Sequence, residues 1–384
     1  MASARTAAAA PAALAVRRAR PGDDSGRRAL LAGVAMDADL SLSVHRAPTV
    51  DAMYALHATA WDSWVVADGD GQIEGMGAVL VRNAYLDGQL GNAGYLGDLR
   101  FSSRAEGRHL LDRAYGPILS DARDRYGCEY YLTAIIASNA RARRALTVQT
   151  ERAARRGRPR YTLLWEFDIR SLHLVLPRRH ERSSVQVRAA TESDIPSIAS
   201  LLDADARRRP LGYPMPEAEL RRRIATWPGL HIESFLVAET AQGIAGVMAP
   251  WDAAPVKETV VAKYGGAMRR VQFAHDLAAR ALRRPLLPRP GEPFRYQYLT
   301  HVAVPSGEPA VLRALLAFAH TSARSEGFHF LSACAPVGDP MDAAYRGFMA
   351  TNLRAHFYLV TLPDTVIPES LLAGPMPGFE MALV

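Results

Sequence analysis

The chain has 384 residues, 49% of them hydrophobic and 22% charged, with a formal net charge of +7 and a pI near 9.6. This composition predicts a soluble globular protein with room for two domains, and it excludes a low-complexity chain and a disulfide-stapled miniprotein. The charge permits an anionic partner without choosing among a nucleotide cofactor, an acyl carrier and a nucleic acid.

The basic residues are arginines except for Lys257 and Lys263, which with the alanine content reflects codon bias at least as much as function. Cys128 and Cys334 form neither a disulfide framework nor a metal cluster, and the histidines lack ligand spacing. No metal is expected, and a reducing, cytoplasmic location is. No apolar run approaches the ~18 residues of a membrane span. Residues 1–15, "MASARTAAAAPAALA", read as a disordered tail, since the apolar part is alanine and runs straight into Val16-Arg17-Arg18.

In chain order, a strand is predicted at Val16 to Ala19, then helices around Arg27 to Met36 and Thr49 to Thr59. A hairpin follows, Trp64 to Ala67 and Ile73 to Val81, turning at Asp68-Gly69-Asp70-Gly71. A strand then ends at Phe101, and a helix from Arg104 is interrupted at Gly116-Pro117. Next come a strand at Cys128 to Ile136, a short helix at Asn139 to Leu146 and a strand at Arg160 to Ile169. Residues 172–184, with a proline and a charge run, read as a linker between domains 16–171 and 185–384. An early antiparallel hairpin among mixed elements predicts an α+β class with a mixed, mostly antiparallel central sheet flanked by helices.

The second domain repeats the first. At a shift of 171 residues, Val16-Arg17-x-Ala19-x-x-x-Asp23 falls on Val187-Arg188-x-Ala190-x-x-x-Asp194, and Val66-Ala67-Asp68 falls on Val237-Ala238-Glu239. Tyr95 to Phe101 matches Tyr298 to Val304 at a shift of 203, so the second copy has gained 32 residues between its third and fourth strands. This insertion, about 252–293, reads as helix broken at Gly265-Gly266. Val260, Val261, Tyr264, Met268, Val271, Phe273, Leu277 and Ala281 lie largely at helical spacing, as for a cover with one buried face.

These residues, with Leu99-x-Phe101 followed by Arg104-x-x-Gly107 and a later strand leading into Asn139-x-x-Ala142, resemble the GNAT superfamily of acyl-CoA-dependent N-acyltransferases, here in tandem. The resemblance covers nearly the whole chain by element order. The family signature departs at its third position, where His109 stands for glycine or alanine, and Ala105 stands where a further glycine is common. The resemblance implies an acetyl-CoA or other acyl-CoA donor and a small-molecule or peptide amine acceptor. Donor contacts would come from Leu99, Arg100, Phe101, Arg104, Ala105, Gly107, Arg108, His109, Asn139 and Ala142.

The chemistry agrees with that assignment but does not require it. A helix N-terminus offers unpaired N–H groups to a pyrophosphate, Gly107 would let backbone approach closely and Arg104 would add charge. Ser103-x-x-Glu106 is equally a capping box. Asn139 is by resemblance a pantetheine contact and on its own chemistry an N-cap. The arginine run from Arg141 to Arg160 is a solvated face, or meets the CoA ribose phosphate or an acyl-carrier protein. The second copy lacks Arg-x-x-Gly and has Pro309 at its helix start, so the donor is assigned to the first.

Acyl transfer needs a base for the amine, donors for the oxyanion and an acid for the thiolate. Where the family often has a carboxylate the chain has Ala93, and where it often has a tyrosine it has Leu146 and Thr147. The remaining catalytic candidates are Asp98, Tyr95 and Tyr131, while His301, the equivalent of Asp98, reads as a satisfied, partly buried histidine. Nucleic acid and membrane are not expected as partners. A transferase using aminoacyl-tRNA and a non-catalytic acyl-CoA-binding scaffold are the competing functions.

Overall fold

The computed structural model describes residues 13–33, 39–105, 110–148, 157–178, 185–241, 243–304 and 308–383. The first half runs β1 (Ala15–Arg18), α1 (Asp24–Gly33), β2 (Leu40–Arg46), α2 (Val50–His57), β3 (Ala60–Ala67), β4 (Ile73–Leu86), β5 (Gln89–Phe101), α3 (Leu110–Tyr126), β6 (Cys128–Ile136), α4 (Ala140–Thr147) and β7 (Arg160–His173). The second runs β8 (Gln186–Ala189), α5 (Ile195–Arg207), α6 (Glu217–Thr226), β9 (Leu236–Thr240), β10 (Gly243–Trp251), β11 (Lys257–Tyr264), α7 (Met268–Ala281), β12 (Tyr296–Ala303), α8 (Pro309–Ser325), β13 (Phe330–Pro336), β14 (Ala350–Thr361) and α9 (Glu369–Ala373). Among the described residues, no helix is long and apolar enough to cross a membrane.

Twelve strands form one sheet in the order β1-β3-β4-β5-β6-β14-β7-β13-β12-β10-β9-β8. Its parallel pairs are β5 with β6 and β12 with β13, so each half carries one at an equivalent place. The last strands are exchanged. β14 lies between β6 and β7, while β7 pairs with β13, and the sheet therefore runs unbroken from one half into the other. β7 continues through His173, with Leu172 fully buried, two residues into the segment read as a linker.

Local chemistry sets the turns. Asp68 accepts the backbone N–H groups of Asp70 and Gln72 on one carboxylate oxygen, and Gly71 takes φ +84°, which closes the β3–β4 hairpin. The β4–β5 hairpin turns at Asp87 and Gly88, both at positive φ, as a two-residue loop of this twist requires. The repeated V-R-x-A-x-x-x-D pattern is a structural fork. Arg17 makes two hydrogen bonds to Asp23, at 2.6 and 2.8 Å, and Arg188 makes two to Asp194, at 2.7 and 3.0 Å. In each half the Asp also accepts a backbone N–H, Asp23 from Arg20 and Asp194 from Thr191.

Two expectations are corrected. Helix α3 runs through Gly116 and Pro117 without a break. The insertion is not a helical cover, because its first part is strand β11, paired antiparallel with β2 of the first half from Lys257–Arg46 to Tyr264–Leu40. Val260, Val261 and Tyr264 are buried there, since valine and an aromatic side chain suit a pleated surface as well as a helix stripe. Helix α7 follows, but Val271, Phe273 and Leu277 are 50%, 72% and 60% exposed, so the face predicted to be buried is not.

Candidate active site

Parallel strands β5 and β6 pair only from Asn92–Cys128 to Tyr95–Leu132, and the Thr133 hydroxyl reaches the Leu96 carbonyl at 2.9 Å. Beyond that point they diverge. A cavity of about 400 Å³ opens there, lined by β4, β5, α3, β6 and Asn139 and Ala142 of α4. The second half closes one side with Lys257 and Thr259 of β11, Tyr296 and Tyr298 of β12, and Met381 and Leu383.

A β-bulge shapes the floor. Ala78 pairs with Gly97 and Met76 with Arg100, so Asp98 and Leu99 together oppose Gly77, and Asp98 takes φ +51°. Such a bulge leaves a residue outside the ladder and re-aims the strand. The second half repeats it. His301 and Val302 oppose Met248, His301 has φ +49°, and a smaller cavity of about 210 Å³ lies beside it.

The Asp98 carboxylate is fully engaged. Tyr54 donates to Oδ2 at 2.6 Å, and Arg46 lies 3.2 Å away with its side chain 2% exposed. Burial opposes ionisation of Asp98, but the Arg46 charge and the Tyr54 hydrogen bond outweigh it and hold the carboxyl below the usual carboxylate value. Burial, then Asp98, raises the Tyr54 phenol well above its ordinary value. Tyr95 lines the cavity, and burial followed by Asp98 raises its phenol too. Tyr131 is not brought to the cavity. It is fully buried, and its hydroxyl donates to the Cys128 and Leu119 carbonyls.

Of the predicted donor contacts, Leu99, Arg100, Phe101, Asn139 and Ala142 line the cavity. Asn139 also caps α4, its side chain accepting from the Ala142 N–H at 2.9 Å. Ala105 is buried against Leu110 and Val66. Arg104 is bridged to Glu74 at 2.8 Å and to Asp68 at 3.8 Å, so its charge is already shared by two carboxylates. Gly107, Arg108 and His109 lie outside the described residues. His301 is buried, its Nδ1 2.9 Å from the Thr300 hydroxyl and its Nε2 3.3 Å from Arg223. Burial and Arg223 hold it well below the ordinary histidine value. Among the described residues, no group of His, Cys, Asp and Glu is arranged to hold a metal ion.

Sequence reasoning missed Lys257. It is 4% exposed, its Nζ donates to the Ala382 carbonyl at 2.9 Å, and it lies over the Tyr298 ring at 5.3 Å. Its signal was its residue type, one of two lysines among 46 basic residues.

No family model matches the sequence, and no curated protein matches it. Solved structures do match in shape. A GCN5-related N-acetyltransferase from Sphaerobacter thermophilus is 14% identical with a TM-score of 0.57, over 92% of this chain and 98% of that one. Saccharomyces cerevisiae N-myristoyltransferase with bound myristoyl-CoA is 11% identical with a TM-score of 0.60, over 96% and 89%. A GCN5-related glucosamine N-acetyltransferase region of a fungal multi-domain β-N-acetylglucosaminidase is 14% identical with a TM-score of 0.57, over 92% of this chain and 38% of that one. With two parallel strands that part over a bulged floor in each half, the chain has the fold of the GCN5-related N-acyltransferases, the GNAT superfamily.

Proposed function

We propose that the protein is an acyl-CoA-dependent N-acyltransferase whose first half binds the donor. The observation that carries this is the cavity between β5 and β6, open where the strands diverge and floored by the Asp98–Leu99 bulge. Past Tyr95 the backbone of β5 is no longer paired with β6, so it can pair with the amides of a pantetheine arm in place of β6. Asn139 stands at the opposite wall. The apolar lining, including Leu99, Leu111, Ala114 and Ile118, receives an acyl group. Acetyl is the simplest, and the volume admits a longer chain. The neighbours are an N-acetyltransferase and an N-myristoyltransferase by name, the second with bound myristoyl-CoA, which supports an acyl-CoA donor and an amine of a small molecule or peptide as the acceptor. The two halves are a tandem duplication in which the second supports the sheet and helps to form the acceptor side.

Calorimetric titration with acetyl-CoA and with longer acyl-CoA esters tests the assignment. One ester is expected per chain. At ~100 times its dissociation constant it should stabilise the protein by about 2.7 kcal/mol. Ala114→Trp, which fills the cavity from α3, should abolish that stabilisation while leaving the unliganded fold intact. No binding of any CoA ester, or binding that Ala114→Trp leaves unaltered, would refute it.

A further inference from the structure

We propose that Lys257 is the general base of the acyl transfer, the group that takes a proton from the acceptor's ammonium. This rests on the acyl-transfer function just proposed and adds the residue that performs its proton step.

The placement comes first. β11 belongs to the second half by sequence, yet it pairs with β2 of the first, and this brings Lys257 opposite Arg46 and into the wall of the first half's cavity. Among the groups that face it are Arg46 from β2, Asp98 and Arg100 from β5, Tyr298 from β12 and the Ala382 carbonyl of the C-terminal segment. Thr259, two residues along the same strand, lines the same wall.

Residue type comes second. In a chain that uses arginine at nearly every basic position, the buried one in this wall is lysine, and the other lysine, Lys263, is exposed farther along the same strand. Arginine does not give up its proton in a protein, whereas a buried lysine does. Burial, and after it the Arg46 charge, holds Lys257 well below the ordinary lysine value, which favours the neutral amine. Among the described residues, the other titratable side chains of the lining do not serve. Asp98 is paired with Arg46 and Tyr54, Arg100 is a cation, and the remainder are tyrosines, with Tyr95 raised by burial.

The step balances. Neutral Nζ accepts one proton from R–NH3+ and becomes the ammonium. The freed amine lone pair forms the C–N bond at the thioester carbonyl. The C–S bond breaks, and CoA leaves as a thiolate that takes up the second amine proton, giving amide and free thiol. Lys257 then returns its proton to solvent. The Ala382 carbonyl, accepting from Nζ, holds the side chain in position for this exchange.

The test uses the full chain and variants Lys257→Arg, Lys257→Met and Lys263→Arg. Acyl-CoA is the donor, a panel of primary amines and amine-terminated peptides are the acceptors, and thiol release is followed between pH 6 and 10. Both Lys257 variants should lose about 100-fold or more in kcat with the acyl-CoA KM within about threefold, and the acid limb of the wild-type profile should vanish. Lys263→Arg should match wild type. Met has nearly the length of Lys and no charge to bury, so it guards against a folding defect in the Arg variant. A kcat within about threefold of wild type, with the same acid limb, in either Lys257 variant would overturn the assignment. A wild-type chain that binds CoA esters but acylates no amine would overturn it while leaving donor binding intact. One that binds no CoA ester would overturn the proposed function itself.

Discussion

Asp98 and His301 occupy the same left-handed backbone position in the two halves, at φ +51° and +49°, each beginning the bulge that interrupts its strand. What the halves share here is backbone, not side-chain chemistry. The carboxylate in the first half is paired with Arg46, and the imidazole in the second lies against Arg223.

Substituting Asp98 by Asn keeps a side chain that tolerates positive φ but leaves Arg46 buried without its counter-charge. The expected cost is about 3–5 kcal/mol in urea denaturation, because an uncompensated buried charge is worse than no charge. Arg46→Met combined with Asp98→Asn should recover most of it. Asp98→Val should cost about 1–2 kcal/mol more than Asn, since a β-branched residue is strained at this φ. Equal costs for Val and Asn would mean that the bulge backbone is not strained.

Burial of Lys257 carries a cost with a definite pH sign. Its folded value lies below the unfolded one, so between the two the unfolded chain binds more protons, and stability rises with pH across that window. Lys257→Met should therefore be more stable than wild type at neutral pH, with the advantage shrinking as pH rises toward about 10.4, the unfolded lysine value. Denaturant midpoints of the pair measured from pH 6 to 10 give the difference directly. A gap independent of pH would show that Lys257 keeps its proton in the fold.

The two parts of the insertion should respond differently to substitution. Val261 is fully buried in β11, so Val261→Ala should cost about 2 kcal/mol. Phe273→Ser and Leu277→Ser on the exposed face of α7 should each stay within about 0.5 kcal/mol of wild type. Thermal melts decide this. A large loss from Leu277→Ser would restore the idea of a helix that covers the domain.

The sequence showed most clearly what local chemistry determines. The Asp68 turn and the hairpin it closes were visible because their partners lie within a few residues, whereas V-R-x-A-x-x-x-D was visible only as a repeat and not as the Arg17–Asp23 fork. The pairing of β2 with β11 was not visible. Val260, Val261 and Tyr264 satisfy a helix stripe and a strand equally, and the partner that decides between them lies over 200 residues away, at Leu40 to Ser43. Lys257 stayed hidden for the same reason, since nothing near it in sequence says that its strand joins the other half. That Leu99 to Phe101 and Asn139 stand around one cavity was legible because the fold's element order fixes where a diverging strand and the next helix must stand. Arg104 was misleading, because the carboxylates that hold it, Glu74 and Asp68, arrive from the preceding hairpin.

The exchange of last strands also bears on how the chain is made. β6 ends at Ile136, but the neighbour that covers its free edge, β14, begins at Ala350. At a synthesis rate of about 5–20 residues per second, that edge waits roughly ten to forty seconds on the ribosome before its partner emerges. During this interval the nascent first half exposes unpaired backbone beside Tyr131 and Ile135, the kind of edge that a second nascent copy can capture. The exchange of last strands thus makes assembly depend on the last tenth of the chain, and a translational pause before Ala350 lengthens the vulnerable period.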